Sequence, residues 1–588
     1  MIETDVLIVG SGPAGGSAAL MLSSLGVRNM LVTKHRWLAD TPRAHITNQR
    51  TMEILRDLGV ETEAVSQATP QHLLGNTVFC TSLAGEELGR VRAWGTRPDR
   101  RAEHEMASPC STCDLPQNLL EPILLGRAAA RGTRVRFDSE YLGLVQDASG
   151  VTATMRDRLG GGTYQVRANY LIGADGGRSQ VAADIGLPFE GRMGIAGSMN
   201  IVFEADLSRY VAHRPSVLYW VLQPGSSIGG IGMGVLRMVR PWHRWMAIWG
   251  YEINGPTPQL DEAEATRVVH NLIGDAAIPV RINSTSLWTV NHMYATRYAR
   301  GRVFCMGDAV HRHPPSNGLG SNTSIQDAYN LTWKLAMVLK GQAAPSLLDT
   351  YDAERAPIGR QVVERANRSI GEFGPIFDAL GLLGTQDAER MRANMESRKA
   401  STPEAEAQRS ALRRAIAAKR YEFDAHGVEM NQRYASEAVV ADGSPEPVRQ
   451  RDPELHYEPT TRPGARLPHA WLLRGNERVS TLDLVGKGRF AILTGIGGEA
   501  WGAAAEAAAA RFGIEVAVHV IGPGRELEDP FGEWAALREV GDAGCLLVRP
   551  DAHVAWRAAD AAGAEMRLTE ALGCVLGHAR RGLMLAAD

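Results

Sequence analysis

Asp5-Val-Leu-Ile-Val-Gly10-Ser-Gly12-Pro-Ala-Gly15 sets an apolar, β-branched run directly against a glycine-rich turn. The run reads as a strand, residues 14–25 as a helix ended by Gly26, and residues 27–33 as the next strand. This order of strand, turn, helix and strand opens a dinucleotide-binding α/β fold. Each glycine has its own task. Gly10 permits the tight turn, Gly12 lets backbone approach a pyrophosphate at the helix N-terminus, and Gly15 lets the helix pack closely on the strand.

Outward from this unit the texture changes. Residues 186–290 alternate apolar and aromatic stretches, such as Ser216-Val-Leu-Tyr-Trp220-Val-Leu-Gln223 and Trp245-Met-Ala-Ile-Trp-Gly-Tyr251, and predict a β-rich domain. Residues 322–340 and 350–370 read as helices. Pro403 to Arg420 reads as a charged, alanine-rich helix capped by Thr402 and expected to connect two bodies. Beyond a boundary near residue 430, the runs 490–495, 514–521 and 544–549 are strands separated by alanine-rich helices, the pattern of an independent α/β domain.

Composition narrows the function. The 588-residue chain balances Lys+Arg 63 against Asp+Glu 66, a net charge of −3, so no global positive field draws nucleic acid. No apolar run approaches the roughly 20 residues of a membrane helix, and Met1-Ile-Glu-Thr-Asp5 lacks a basic leader, so a cytoplasmic protein without membrane contact is expected. Cys110-Ser-Thr-Cys113 has no second pair or histidine cluster beside it, and no metal site is expected there or at His311 and His313.

Two later segments choose among dinucleotide enzymes. Tyr170-Leu-Ile-Gly-Ala-Asp175-Gly-Gly-Arg178-Ser179 and Gly301-Arg-Val-Phe-Cys-Met-Gly307-Asp308-Ala309 are strands that run into turns bearing carboxylates. With the N-terminal glycines, they resemble the single-component FAD-dependent aromatic hydroxylases. Pro42-Arg43-Ala-His45-Ile-Thr-Asn-Gln-Arg50, Cys113-Asp114-Leu-Pro-Gln117 and His311-Arg-His313-Pro314-Pro-Ser-Asn-Gly318-Leu319-Gly320 are similar to the phenol hydroxylase branch, with its chlorophenol and hydroxybiphenyl hydroxylases. Arg237-Met-Val-Arg-Pro-Trp242 and the segment 211–220 resemble the chlorophenol members most.

The resemblance implies a Rossmann-like FAD-binding domain at 1–185 with a substrate-side segment near 70–110, and a β-sheet substrate domain at 186–290. A second FAD-binding segment with a helical linker would occupy 291–430. A thioredoxin-like domain without a redox cysteine pair would occupy 431–588. It implies that Gly10, Gly12 and Gly15 bind the FAD pyrophosphate, that Arg43 and Gln117 contact the flavin, and that Asp308 holds the ribityl chain. Pro314 and Gly318, Leu319 and Gly320 would line the isoalloxazine, and Asp175 and Arg178 would serve FAD and NAD(P)H. One departure stands out: the glutamate that many relatives place at the end of the second strand is Lys34 here.

The implied reaction takes hydride from NAD(P)H and moves one oxygen atom of O2, by way of a flavin C4a-hydroperoxide, to a small aromatic substrate, ortho to a phenolic hydroxyl. A homo-oligomer is expected. A phenol with a tyrosine-like pKa of about 10 is ionised only about once in 10³ molecules at pH 7, a deficit of roughly 4 kcal/mol that requires a base or a cation. His45, with an ordinary pKa near 6.5, is the first candidate base and Asp114 the second, as base or as orienter of the histidine. Trp220 and Arg237 are candidates for packing the ring and placing an anion. The same chemistry on a hydroxypyridine or polyketide phenol stays open, as does a flavin-binding redox sensor without turnover.

Overall fold

The computed structural model describes residues 1–228, 231–445 and 448–578; the last ten residues of the expected C-terminal domain lie outside these. Ile2–Val9 is the centre of an eight-stranded sheet, parallel to Thr163–Gly173 on one side and Asn29–Val32 on the other. Val303–Cys305 adds to Thr163–Gly173 in the same direction. Val6, Leu7 and Ile8 are fully enclosed, as a parallel strand with both faces covered should be. The register pairs Val9 with Gly173 and Gly173 with Cys305, so three strands end side by side. The turns that begin at Gly10, Ala174 and Met306 are thereby delivered to one edge, where open α/β sheets bind ligands.

The helix Pro13–Ser24 is almost all small or aliphatic on its buried side and packs against both Gly320–Leu339 and Gln117–Ala130. Those two helices carry the glycine segment 318–320 and Gln117 at their N-terminal ends. A separate pairing of only two residues a side, Ile46–Thr47 against Cys113–Asp114, lies outside both large sheets. It too bears directly on the site.

The second eight-stranded sheet combines Phe189–Glu204, Leu218–Ile228, Ile231–Arg240, Arg244–Tyr251, Arg281–Ala295 and the short edge strand His311–Arg312 with Asn76–Cys80 and Glu87–Arg92 from far upstream. Its two faces differ. Tyr219, Leu236, Trp245 and Ala247 are buried with Val268, Val269 and Leu272 of the helix Glu262–Ile273, which Asp261 caps. Leu218, Trp220, Val235 and Arg237 point the other way, since Leu218 pairs with Arg237 and Trp220 with Val235. The helix Pro403–Ala418, capped by Thr402 as expected, is no connector: Leu412, Ala415 and Ile416 pack with Phe79 and Leu222 of this sheet.

The C-terminal sheet has the order Val516–Val520, Phe490–Thr494, Cys545–Val548, Val554–Ala558, with the first pair parallel and the others antiparallel. Helices Ala500–Phe512 and Ala564–Val575 pack on it, and Trp333 and Met337 of the long helix Gly320–Leu339 enter the same apolar cluster. It is therefore not an independent body. Buried ion pairs seal the junction: Arg549 with Glu354 and Asp551, Lys334 with Glu354, and Arg466 with Glu53.

Candidate active site

The three N-terminal glycines separate physically. Gly10 has φ +110°, and a Cβ there would lie 2.1 Å from the Ala174 carbonyl oxygen. At Gly15 a Cβ would lie 2.0 Å from the Gly10 oxygen. Gly12 is different, for its nearest neighbour would be Glu121 Oε1 at 4.0 Å. The helix Pro13–Ser24 starts there without a side-chain cap, behind a residue with no side chain to shield its N-terminus. Such an end favours a phosphate, and the cradle fits the pyrophosphate of a dinucleotide.

The second helix end completes the cradle. Gly320–Leu339 also begins without a side-chain cap, and Gly318 has φ +63° with Ile46 so close that a Cβ would lie 3.1 Å from Ile46 Cβ. Leu319 and Pro314 are buried, while Asp308 is exposed on the turn after Val303–Cys305. Asp175 is also held locally. Its carboxylate accepts Ser179 Oγ at 2.5 Å, Gln180 N at 2.8 Å and Val181 N at 3.2 Å, capping the helix Gln180–Asp184, and Arg178 is exposed. Arg43 is exposed as well. Gln117 donates its amide to Glu121 Oε1 at 2.6 Å, and Glu121 Oε2 accepts Ala39 N at 2.8 Å, so this buried carboxylate holds Gln117 beside Gly12.

The short pairing of Ile46–Thr47 with Cys113–Asp114 sets the catalytic candidates. Leu115 N donates to the His45 oxygen and Gln117 N to the Ala44 oxygen, each at 2.7 Å, which fixes the two segments edge to edge. His45 Nδ1 then lies 2.7 Å from Asp114 Oδ1, and Thr69 Oγ1 donates to Asp114 Oδ2 at 2.6 Å. From the opposite face of the second sheet, Arg237 donates to the Pro42 oxygen and, at 2.7 Å, to the Arg43 oxygen. Its Nε and second terminal nitrogen are buried and find no hydrogen-bond partner among the described residues.

Electrostatics corrects one expectation. His45 is not near its ordinary pKa: burial first, then the Arg237 charge, hold the imidazole down to about 4 against the pull of Asp114. Burial pushes the Asp114 carboxyl upward, but the His45 hydrogen bond, Arg237 and Thr69 outweigh it and keep it below the usual range. Burial lowers Arg237 to about 10 against the opposing pull of Asp114. Trp220 shares the Arg237 face, yet its ring packs 4.5 Å from Phe373 and 6.4 Å from Phe423, as a wall of the apolar cluster. His311 is bonded to Asp327 at 2.8 Å, and Asp327 to Arg355 at 2.7 Å. Among the described residues no group of three His, Cys, Asp or Glu side chains forms a metal site, and the Cys113 thiol is pushed up to about 12 by burial.

Comparison with known proteins supplies the family. Residues 3–366 match the FAD binding domain family and residues 460–579 the family of aromatic-ring hydroxylase C-terminal domains. The chain belongs to the FAD-dependent aromatic hydroxylases. It is 60% identical over 558 residues, 95% of each chain, to 2,4-dichlorophenol 6-monooxygenase of Delftia acidovorans. It is 52% identical over 560 residues to phenol 2-monooxygenase of Pseudomonas sp. (strain EST1001), covering 95% of this chain and 90% of that one. The crystal structure of the flavin-dependent monooxygenase PieE in complex with FAD and substrate superposes with a TM-score of 0.94 at 49% identity, over 98% of this chain and 100% of that one. Among the described residues of this aromatic hydroxylase, no helix is long and apolar enough to cross a membrane.

Sequence reasoning missed several residues of the hydroxylase site. Asn322 donates to the Ile46 oxygen at 2.8 Å and the Gly318 oxygen at 2.6 Å, and accepts Asn48 N at 3.0 Å, which ties the His45 strand to the second helix end. Glu121, four residues after Gln117, carried a signal in its helical spacing. Thr69 carried none.

Proposed function

We propose that this protein is an NAD(P)H-dependent FAD monooxygenase that adds one hydroxyl group to a phenolic ring, ortho to the existing hydroxyl, with His45 as base, Asp114 as its orienter and Arg237 as the cation beside the phenolate. The observation that carries this reading is Arg237: a fully buried guanidinium with two nitrogens unpartnered among the described residues, acting on the His45–Asp114 pair. A buried cation of this kind is costly unless an anion joins it.

Bound FAD would pass the two electrons of NAD(P)H to O2, so that one oxygen atom goes to the ring and the other leaves as water. This chain's residues prepare the acceptor. His45 donates its Nδ1 proton to Asp114, which leaves Nε2 to accept the phenolic proton. An imidazole held down to about 4 is a weak base alone. As the phenolate forms, however, its charge offsets Arg237, which after burial is the second cause of that depression. A unit charge pair at about 4 Å is worth about 4 kcal/mol at an effective dielectric of 20, the size of the phenol ionisation deficit. Arg43, Gln117, Asp308, Pro314 and Gly318 to Gly320 would hold FAD with Gly12, and Trp220 would wall the ring pocket. Asp175 and Arg178 remain in the proposal through the family resemblance.

The domain division expected from the sequence belongs to the same proposal. The order and directions of the C-terminal strands support a thioredoxin-like unit there. The working form proposed is a cytoplasmic homo-oligomer, as the resemblance implies.

The test is NAD(P)H consumption by the FAD-loaded protein against chlorophenols, alkylphenols, 2-hydroxybiphenyl and hydroxypyridines, with product mass recorded. A phenol should speed oxidation and gain one oxygen. His45→Ala should retain FAD and lose about 10²-fold in hydroxylation at neutral pH. Unchanged turnover in that variant removes His45 from the mechanism, and a response to hydroxypyridines alone moves the substrate class.

A further inference from the structure

Asp114 is completely enclosed, and its two oxygens are held by different parts of the chain. Oδ1 meets His45 Nδ1 at 2.7 Å, and Oδ2 meets the Thr69 hydroxyl at 2.6 Å. Thr69 lies 45 residues upstream in sequence and is brought in by an isolated bridge, its N–H donating to the Asp114 carbonyl at 2.9 Å. Main chain and side chain of Thr69 are thus both spent on one residue. A hydroxyl facing an ionised carboxylate donates its proton, and such charge-assisted bonds are short and strong.

We propose that Thr69 is a positioning residue, the third member of a Thr69–Asp114–His45 chain. Its O–H holds Asp114 ionised and in the one rotation that fixes the His45 Nδ1–H tautomer and presents Nε2 to the phenolic proton. This rests on the reading of His45 as base. The charged groups facing Asp114 are His45 across the two-residue pairing and Arg237 from the second sheet, with the Cys113 thiol its neighbour on its own strand. Thr69 is the partner that adds no charge, so removing it changes the carboxylate's orientation and basicity without altering the electrostatic balance of the other two. Asp114 would then be left with a buried, unsatisfied oxygen.

Thr69→Val removes the hydroxyl at nearly constant shape, and Thr69→Ser keeps it. The holoenzyme is titrated with 4-nitrophenol, whose bound phenolate is read by absorbance without turnover, and kcat/KM for phenol is followed against pH. In Thr69→Val the apparent pKa of bound 4-nitrophenol should rise by about one unit and kcat/KM should fall about tenfold near pH 6.5. The loss should shrink as pH rises and the free phenol ionises unaided. Thr69→Ser should keep most of the wild-type behaviour, and Thr69→Ala repeats the test without placing a methyl group against the carboxylate. Wild-type profiles in Thr69→Val, or equal losses in the Val and Ser variants, overturn the proposal. His45→Ala in the same titration separates the failures: no shift there removes the base reading itself, whereas a shift there with none in Thr69→Val removes Thr69 alone.

Discussion

Arg549 and Arg237 are both fully buried, and the chain treats them in opposite ways. Arg549, at the C-terminal junction, bonds Asp551 at 2.5 and 3.0 Å and Glu354 at 2.5 and 2.8 Å, and lies over the rings of Trp333 and Tyr434. Lys334, Asn330 and Ser436 also bond Glu354. Arg237 bonds two backbone oxygens through one nitrogen and leaves the others bare among the described residues. Their basicities diverge accordingly. Carboxylates hold the Arg549 charge against burial and raise its pKa, while burial lowers Arg237 to about 10. A satisfied buried charge is architecture, and an unsatisfied one is reserved for a ligand.

The contrast breaks first at Arg549. Arg549→Met leaves Glu354 and Asp551 facing each other with Lys334 on Glu354 and Arg50 on the Asp551 carbonyl, and should cost about 3–5 kcal/mol in denaturant unfolding of the FAD-loaded protein. A loss below about 1 kcal/mol would mean that the junction is held by its apolar cluster and not by its charges. Arg237→Met should do the reverse. Its stability should match or exceed wild type, because a desolvated charge disappears, while kcat/KM for the phenol falls by about 10²–10³-fold. Destabilisation of Arg237→Met to the extent of Arg549→Met would erase the distinction.

How much of this was legible in the sequence follows from the range of each interaction. The glycine turn and the ends of three parallel strands are local patterns, and residues 5–15, 170–179 and 301–309 carry them openly. The pairing that joins His45 to Asp114 has two residues a side, too short for any periodicity, and so Asp114 was visible as a candidate while its geometry and its bond to Thr69 were not. The depressed basicity of His45 depends on Arg237, which arrives from another sheet. The family resemblance assigns Asp175 to the cofactor motif, while the hydrogen bonds its carboxylate accepts from the start of the next helix could not be read from the sequence. The helix Pro403–Ala418 looked like a connector from its charges. Leu412, Ala415 and Ile416, spaced three and four apart, already marked the face it buries.

Glu429 shows a third answer to burial and gives the smallest of the expected effects. Its carboxyl is raised to about 8 by burial and by the nearby Asp424, which together outweigh Arg100, so it escapes the cost of a buried charge by keeping its proton. The folded protein then holds a proton that the unfolded chain has released above its ordinary value near 4.5. This contribution to stability is complete below about pH 4.5, declines as pH rises, and is exhausted above about 8. Glu429→Gln removes that slope. Between pH 6 and 7.5 its stability relative to wild type should improve by up to about 2 kcal/mol, read as the pH dependence of the unfolding midpoint. A variant that tracks wild type across this window would mean that Glu429 ionises in place at little cost. Partners and proton retention would then no longer exhaust the ways this fold tolerates buried charge, and the bare guanidinium of Arg237 would lose the exceptional standing on which its assignment to a phenolate depends.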